Sequence, residues 1–324
     1  MLRIAIPLAL AELGWMAMGV VDTVMVGRLP ASAVSIGAAS VGNALFFALA
    51  IFGIGLMSGL DTLVSHAFGA GNWPDARRAL ASGLGLAVYA SPVLAACILG
   101  AAPVLTLIGV SPAVRILAVD FDRIVVWSIP LLLLYTTLRR YLQGLHDVRP
   151  ITFALITANL VNIFGNWLLI FGHWGMPALG VRGSALSTVF ARIYLAGVLY
   201  FAVKRRDPAA FGHVRELFHG VGKLLRLGFP AALSIGFEVG VFNASTAIAG
   251  TLDPVSLAAH TIALNAASVT YMVPLGIASA AAVSVGRALG SGDRRGAARA
   301  GWTAICLGLV FETFSALSFA KSSE

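Results

Sequence analysis

Acidic side chains stand inside long apolar stretches of the sequence. Asp22 lies in the stretch from Pro7 to Gly27, which also carries Glu12, and Glu238 lies in a later one. A charge at the centre of a bilayer costs about 2.5–3.5 kcal/mol even on the mildest insertion scale. A carboxyl group can bind and release a proton, and its oxygens equally ligate Na⁺. We therefore predict that Asp22 and Glu238 are ion-coupling residues for H⁺ or Na⁺. No metal ion other than Na⁺ is expected to bind. The alternatives are a water-exposed helix end for Asp22 and pairing with a distant arginine, such as Arg192, for Glu238.

Amide and hydroxyl side chains share one helical face in the middle of the chain. Asn159, Asn162 and Asn166 stand at positions i, i+3 and i+7, and Ser184 and Thr188 form an i, i+4 pair in the next apolar stretch. Three amides on one face are costly against lipid. They predict a polar substrate cavity completed by Thr188, with hydrogen bonds between helices as the alternative.

The composition places these residues in a membrane protein. The chain is 59% hydrophobic and 11% charged, whereas soluble domains are about 25% charged. The alternating pattern of a membrane barrel is absent, so the prediction is an all-α bundle. Nine apolar stretches are long enough to span a bilayer, at about 4–26, 33–60, 79–107, 118–143, 151–171, 183–203, 224–250, 256–286 and 297–319.

Several other residues are expected to have no chemical role. Cys97 and Cys306 are interpreted as buried packing thiols, and Asp61 as a solvated acid at a helix end. His66 and His260 lack a partner at metal-ligand spacing. The glycine-rich stretches lack the lysine of a phosphate-binding loop, so neither a nucleotide nor another cofactor is expected.

The basic residues predict an orientation. With the N-terminus in the cytoplasm, 16 Lys and Arg residues fall on the inner side and five on the outer side. Nine spans then place the C-terminus outside. The net charge of +8 follows from this distribution and does not indicate nucleic-acid binding.

The chain also contains an internal repeat with an offset of 223, then 221, residues. Leu2-Arg3 and Pro7 recur as Leu225-Arg226 and Pro230, and the pair Gly69 and Gly71 recurs as Gly290 and Gly292. Six spans separate the two starts, so the repeats are parallel and a central cleft between them is expected. The predicted domains are an N-terminal lobe of six helices with its linker (1–223) and a partial C-terminal lobe of three helices (224–324).

Several polar motifs carry a family resemblance. They are Val21-Asp22-Thr23-Val24-Met25-Val26-Gly27, Phe68-Gly69-Ala70-Gly71, Arg149-Pro150, Asn162-x-x-x-Asn166-Trp167, Phe237-Glu238-Val239 and Ala258-Ala259-His260 with Asn265. The sequence resembles multidrug and toxic compound extrusion (MATE) transporters of the NorM-type branch. The resemblance implies twelve helices in two lobes and antiport of small organic cations against Na⁺ or H⁺ by alternating access in the inner membrane. It also implies coupling at Asp22 and Glu238 and a cavity that includes Asn162, Asn166 and Asn265.

The chain is shorter than two complete copies of the repeat. Two copies of a 223-residue unit need about 120 residues more than the 324 present, so nine of twelve spans and a truncated, transport-dead fragment are expected.

A flippase for a lipid-linked precursor remains an alternative, although it would line its cleft with Arg and Lys. A membrane-embedded enzyme is not expected, because its catalytic motifs are missing. The expected partners are organic cations and membrane lipid.

Overall fold

The computed structural model describes residues 2–30, 32–252 and 254–322, and these residues form helices joined by short turns without any strand. The α-helices are α1 (Leu2–Val26), α2 (Ser32–Leu56), α3 (Gly59–Gly69), α4 (Trp73–Gly100), α5 (Val104–Leu107), α6 (Pro112–Val125), α7 (Ile129–Gly144), α8 (Arg149–Phe171), α9 (Val181–Arg206), α10 (Val221–Leu252), α11 (Pro254–Gly290) and α12 (Arg294–Ser322). The predicted all-α class is confirmed.

Eight helical segments among the described residues are long and apolar enough to cross a membrane. The remaining expected span, 118–143, is interrupted, because α6 and α7 are separated by a 3-10 turn at Val126–Ser128. Pro130 lies in the first turn of α7, where its missing N–H is tolerated but where it cannot continue a preceding helix. The stretch expected to span at 118–143 is therefore formed by two successive helices, α6 and α7.

The helices α1–α9, here called the N-terminal group, pack around one core. In this group α8 packs against both α9 and α1, α2 packs against α6, and α7 packs against α4 and α9. Large apolar side chains such as Trp127, Leu160 and Phe201 cover the outside. Cys97 and Cys306 are also exposed, so the prediction that they are buried was wrong. On a surface facing lipid, a small apolar thiol is accommodated as well as it is in a core.

The helices α10–α12, here called the C-terminal group, repeat the geometry of the first helices. The turn between α3 and α4 has Gly71 at a φ of 71°, and the turn between α11 and α12 has Gly292 at a φ of 78°. The oxygen Oδ1 of Asn72 accepts a hydrogen bond from the Asp75 N–H at 3.2 Å, and Oδ1 of Asp293 accepts one from the Gly296 N–H at 2.8 Å. Both residues cap the helix that follows, which confirms the repeat in three dimensions.

The two groups meet through equivalent contacts. Helix α1 packs against α11 and its counterpart α10 packs against α2, while α3 packs against the end of α11. A methyl group at Gly55 would lie 2.6 Å from Cα of Ala232, and one at Gly276 would lie 2.6 Å from N of Ala9. These pairs correspond under the repeat offsets, so the interface is self-complementary in the manner of a two-fold dimer.

An ion pair with a buried carboxylate ties the end of α9 to α4 and α7. Arg77 donates from Nε and Nη2 to the two carboxylate oxygens of Asp207 at 2.8 and 2.7 Å, and the Tyr141 hydroxyl donates to Oδ2 at 2.9 Å. Burial alone would raise the pKa of Asp207, but the hydrogen bonds from Arg77 and Tyr141 outweigh it and hold that pKa below its usual value. Asp207 thus fixes the chain where α9 ends.

The variant Asp207→Asn is expected to lower the free energy of unfolding by about 2 kcal/mol at pH 7, because charge-assisted hydrogen bonds are lost. The folded pKa lies below the unfolded value of about 3.9, so the contribution is complete above about pH 5 and disappears as the pH falls through the folded pKa. Unfolding in detergent at pH 7 and pH 3 measures the difference. The exposed Asp75→Asn is the control, and a deficit that is the same at both pH values contradicts the assignment.

Candidate functional site

Asp22 lies on α1, one turn before the helix ends at Val26, and its carboxylate faces α8 and α9. The side chain is buried. Its Oδ1 accepts a hydrogen bond from Nδ2 of Asn166 at 2.6 Å, and its Oδ2 accepts one from Oγ1 of Thr188 at 3.3 Å. The carboxylate is therefore held by neutral donors from two different helices, and the alternative of a water-exposed acid does not fit.

A second layer of polar groups supports the donors to Asp22. Nδ2 of Asn166 also donates to Oδ1 of Asn162 at 3.2 Å, and the hydroxyl of Ser187 donates to the backbone carbonyl of Asn162 at 2.9 Å. Both asparagines are fully buried. Their i, i+4 spacing on α8 places them on adjacent turns of one face. We call Asp22, Asn162, Asn166, Ser187 and Thr188 the Asp22 cluster.

The Asp22 cluster and its immediate neighbours are rich in oxygen atoms. Oδ1 of Asn166 is buried without a hydrogen-bond partner, and so is Oγ of Ser184, one turn before Thr188. Carboxylate, amide and hydroxyl oxygens are the ligands that hard cations prefer. The arrangement is chemically suited to hold a small cation at Asp22, or to exchange a proton there.

Arg192 provides the nearby positive charge. It lies on α9 one turn after Thr188 and interacts electrostatically with Asp22. Its guanidinium lies 4.5 Å from the ring centroid of Phe46, and Nη1 donates to the hydroxyl of Ser128. Sequence reasoning considered Arg192 only as a partner of Glu238 and did not identify Ser128 or Ser187. Arg192 lies four residues after Thr188, and this spacing was the sequence signal that could have linked Arg192 to the Asp22 cluster.

Asn159 occupies a different level of the α1–α8 contact. Its Nδ2 donates to the backbone carbonyls of Gly14 at 2.9 Å and of Leu155 at 2.8 Å. Gly14 lies two turns before Asp22 on α1. The hydrogen bonds of Asn159 therefore join two helices. For this residue, the alternative prediction of hydrogen bonds between helices agrees with the structure.

Glu238 and Asn265 belong to the C-terminal group. Glu238 is exposed on α10 and lies close to Tyr271 on α11. Asn265 is exposed on α11, and its Nδ2 donates to the carbonyl of Thr261 at 2.9 Å. The structure thus brings Asp22, Asn162, Asn166 and Thr188 together and places these two residues on other helices.

Two more acids form ion pairs inside the N-terminal group. Glu12 of α1 pairs with Arg139 of α7, and Asp61 of α3 pairs with Arg140 at 2.5 Å. Asp61 is only 5% exposed, so the expectation of a solvated helix-end acid was wrong. The packing of α7 against α3 covers this acid and supplies its arginine.

Comparison with known proteins establishes the class of this chain. A family model described as MatE matches residues 7–168 and 230–321. The chain belongs to the MatE family. A probable multidrug resistance protein NorM of Mesorhizobium japonicum is 35% identical over 317 residues, which cover 96% of this chain and 68% of that protein. The multidrug resistance protein NorM of Vibrio cholerae is 30% identical over 315 residues, with 96% and 68% covered.

Solved structures of MatE-type transporters share the fold. The eukaryotic MATE transporter AtDTX14 superposes with a TM-score of 0.84 at 22% identity, covering 94% of this chain and 68% of that one. An outward-facing multidrug resistance MATE transporter gives a TM-score of 0.82 at 20% identity, covering 98% and 70%. The predicted family and helical fold are confirmed, and the chain is a multi-pass membrane protein of a transporter family rather than an enzyme.

Proposed function

We propose that this MatE protein exports amphipathic organic cations by antiport, driven by inward Na⁺ or H⁺ and using alternating access. The observation that carries the proposal is the buried carboxylate of Asp22, held by Asn166 and Thr188 among further oxygen atoms. The names of the NorM relatives support multidrug export as the activity. No cofactor takes part in this scheme.

The Asp22 cluster offers a physical route for coupling. Its carboxylate comes from α1, and its donors come from α8 and α9. A proton or Na⁺ at Asp22 neutralises the carboxylate and weakens its hold on the amide and hydroxyl donors. The three helices then favour a different packing, and the ion shifts the equilibrium between two conformations by its differential affinity.

The rest of the proposal concerns the second lobe and the orientation. Residues 1–223 and 224–324 act as two lobes, with Glu238 and Tyr271 as a second coupling pair and Asn162, Asn166, Asn159, Thr188 and Asn265 as candidate cavity residues. The end of the bundle that carries the N-terminus lies in the cytoplasm, supported by 16 basic residues against five in the sequence. The membrane is the inner membrane.

The test is ethidium transport by the 324-residue protein in liposomes, with Na⁺ and H⁺ gradients imposed separately. The same test distinguishes the proposed export from the alternative of a transport-dead fragment, which the sequence comparison of the two repeats predicted. We expect transport under one gradient and a loss of about tenfold or more in Asp22→Asn, which removes the titratable charge and keeps the shape. Glu238→Gln is expected to act in the same direction. The exposed Asp75→Asn is the matched control.

Two results would contradict the proposal. The first is the absence of ethidium transport under both gradients from protein whose helical circular dichroism is intact. The second is transport by Asp22→Asn at the rate of Asp75→Asn, which would remove the coupling role of the Asp22 cluster.

A further inference from the structure

The turn between α7 and α8 carries a histidine in a backbone conformation that favours glycine. His146 has a φ of 62°. Its N–H donates to the carbonyl of Gln143 at 2.9 Å, and the N–H of Asp147 donates to the carbonyl of Leu142 at 2.9 Å. These two hydrogen bonds form the Schellman motif, in which the left-handed residue after the helix is usually glycine.

Two other helices end in the same motif at the same end of the bundle, and both use glycine. After α3, Gly71 has a φ of 71° and its N–H donates to the carbonyl of Phe68 at 3.1 Å. After α11, Gly292 has a φ of 78° and its N–H donates to the carbonyl of Leu289 at 3.1 Å. A histidine is less favourable than glycine in this conformation. Its use in one of three equivalent turns points to a role for its side chain.

The ring of His146 lies where the N-terminal and C-terminal groups meet. Its centroid is 6.2 Å from that of the Phe68 ring, at the end of α3. The guanidinium carbon of Arg287, on α11, lies 5.3 Å from the centroid of the same Phe68 ring. A methyl group on the adjacent Gly69 would overlap the carbonyl of Arg287, so the two helix ends are in close contact here. An imidazole from one group and a guanidinium from the other therefore pack on a single ring.

The charges that act on His146 are positive. Arg287 and the ammonium group at the start of the chain both interact with it electrostatically. The next residue, Asp147, has its Oδ2 3.9 Å from Nε of Arg206 on α9, so its charge is shared with that arginine. Phe68 presents an uncharged ring.

Further charged or titratable side chains lie on the adjoining helix ends. The acids among them are engaged, namely Asp75 and Asp207 with arginines of α4 and Asp293 with the N–H of Gly296. The other side chains are basic and exposed: Arg3 of α1, His66 of α3, Arg149 of α8, and Lys204 and Arg205 of α9. A proton on His146 would therefore add to an excess of positive charge.

We propose that His146 is a pH-sensitive switch at the contact between the two groups, where its protonation sets a second positive charge against Arg287 and favours separation of the ends of α3 and α11. The switch does not depend on coupling at Asp22 or on export.

The sign of the pH dependence follows from the two arrangements. Burial, and after it the charge of Arg287, hold the pKa of His146 below its ordinary value of 6.5 while the helix ends are in contact. Separation exposes the ring and moves Arg287 away, so the pKa returns toward 6.5. Proton binding thus favours the separated arrangement, and the effect grows as the pH falls below about 6.5.

Double electron–electron resonance in nanodiscs measures this separation. One spin label is attached at Arg205→Cys on α9 and the other at Ser291→Cys after α11, in a protein whose Cys97 and Cys306 are replaced by serine. We expect the ratio of the longer-distance to the shorter-distance population to rise about threefold or more between pH 7.5 and pH 5.5, as screened like charges near a protein surface produce.

The variants separate the titration of His146 from other effects of pH. His146→Asn is expected to lose most of the rise, because asparagine also adopts the left-handed conformation but does not titrate. His146→Gly, which has the residue of the two equivalent turns, is expected to do the same with its fold intact. The exposed His219→Asn is the matched control and is expected to keep the threefold rise. Asp22→Asn is expected to keep it as well, which separates the switch from the export proposal.

A direct titration tests the pairing with Arg287. In protein labelled with ¹³C in its histidine rings, the His146 signal is identified by its absence in His146→Asn. We expect Arg287→Gln to raise the pKa of His146, because a neighbouring positive charge has been removed. An unchanged pKa of His146 in Arg287→Gln would overturn the proposal. A rise in the longer-distance population that is absent from the unmodified protein, or equal in His146→Asn and His219→Asn, would overturn it too.

Discussion

Replacing Glu12 with glutamine is expected to lower the free energy of unfolding by about 3–5 kcal/mol, because it leaves the charge of Arg139 buried without its counter-ion. The side chains are 13% and 11% exposed, and they connect α1 to α7 within the N-terminal group. Nε of Arg139 is already buried without a hydrogen-bond partner, so the guanidinium depends heavily on Glu12. Detergent-mediated unfolding followed by circular dichroism measures the loss.

The double variant Glu12→Met/Arg139→Met separates loss of the pair from loss of one partner. Apolar side chains of similar volume remove both charges, and such replacements are often neutral or stabilising. We expect the free energy of unfolding of the double variant to be close to that of the unmodified protein and well above that of Glu12→Gln. The exposed pair Asp75–Arg78, with side chains 53% and 56% exposed, is the control, for which Asp75→Asn costs less than about 1 kcal/mol. A Glu12→Gln loss as small as that of Asp75→Asn would contradict the structural importance of the buried pair.

The Asp22 cluster shows what helical spacing predicts well. Asn162 and Asn166 are one turn apart, and both join the network of Asp22. Asn159 shares their face, but it lies about 10 Å from Asn166 along the helix axis and meets α1 at Gly14. The period of a helix identifies a face, whereas the level at which a neighbouring helix crosses that face depends on packing.

Asp61 and the cysteines show what the sequence could not supply. The partner of Asp61 is Arg140, 79 residues away, and only the packing of α7 against α3 brings the two together. An apolar helix has no polar face to mark its outside, so the exposure of Cys97 and Cys306 was not visible in the sequence pattern. The helical class follows from composition, while inward and outward faces depend on which helices become neighbours.

The repeat could be predicted from identical residues at fixed offsets, but the symmetric interface between the two groups could not. Ser65 and Gly286 correspond under the 221-residue offset, and they face each other directly. The two-fold axis that relates the groups therefore passes between them. On either side of this axis, the backbone of Gly69 contacts the carbonyl of Arg287, and that of Gly290 contacts the carbonyl of His66. No side chain fits in these contacts, so glycine is required for the close approach of α3 and α11.

Alanine at Gly69 or Gly290 is therefore expected to separate the two groups at this contact, with equal effects at the two equivalent positions. Each added methyl group would overlap a backbone carbonyl, which cannot rotate away as a flexible side chain does.

The measurement uses Ser65→Cys, a fully buried position, in a protein whose exposed Cys97 and Cys306 are replaced by serine. We expect a membrane-impermeant maleimide to label position 65 at least tenfold faster in Gly69→Ala and in Gly290→Ala. Gly197→Ala, on α9 with open space around the added methyl group, is expected to leave the labelling rate unchanged. Equal protection of position 65 in all three variants would mean that the contact between α3 and α11 tolerates the added methyl groups. The close glycine contacts would then not be what holds the two groups together.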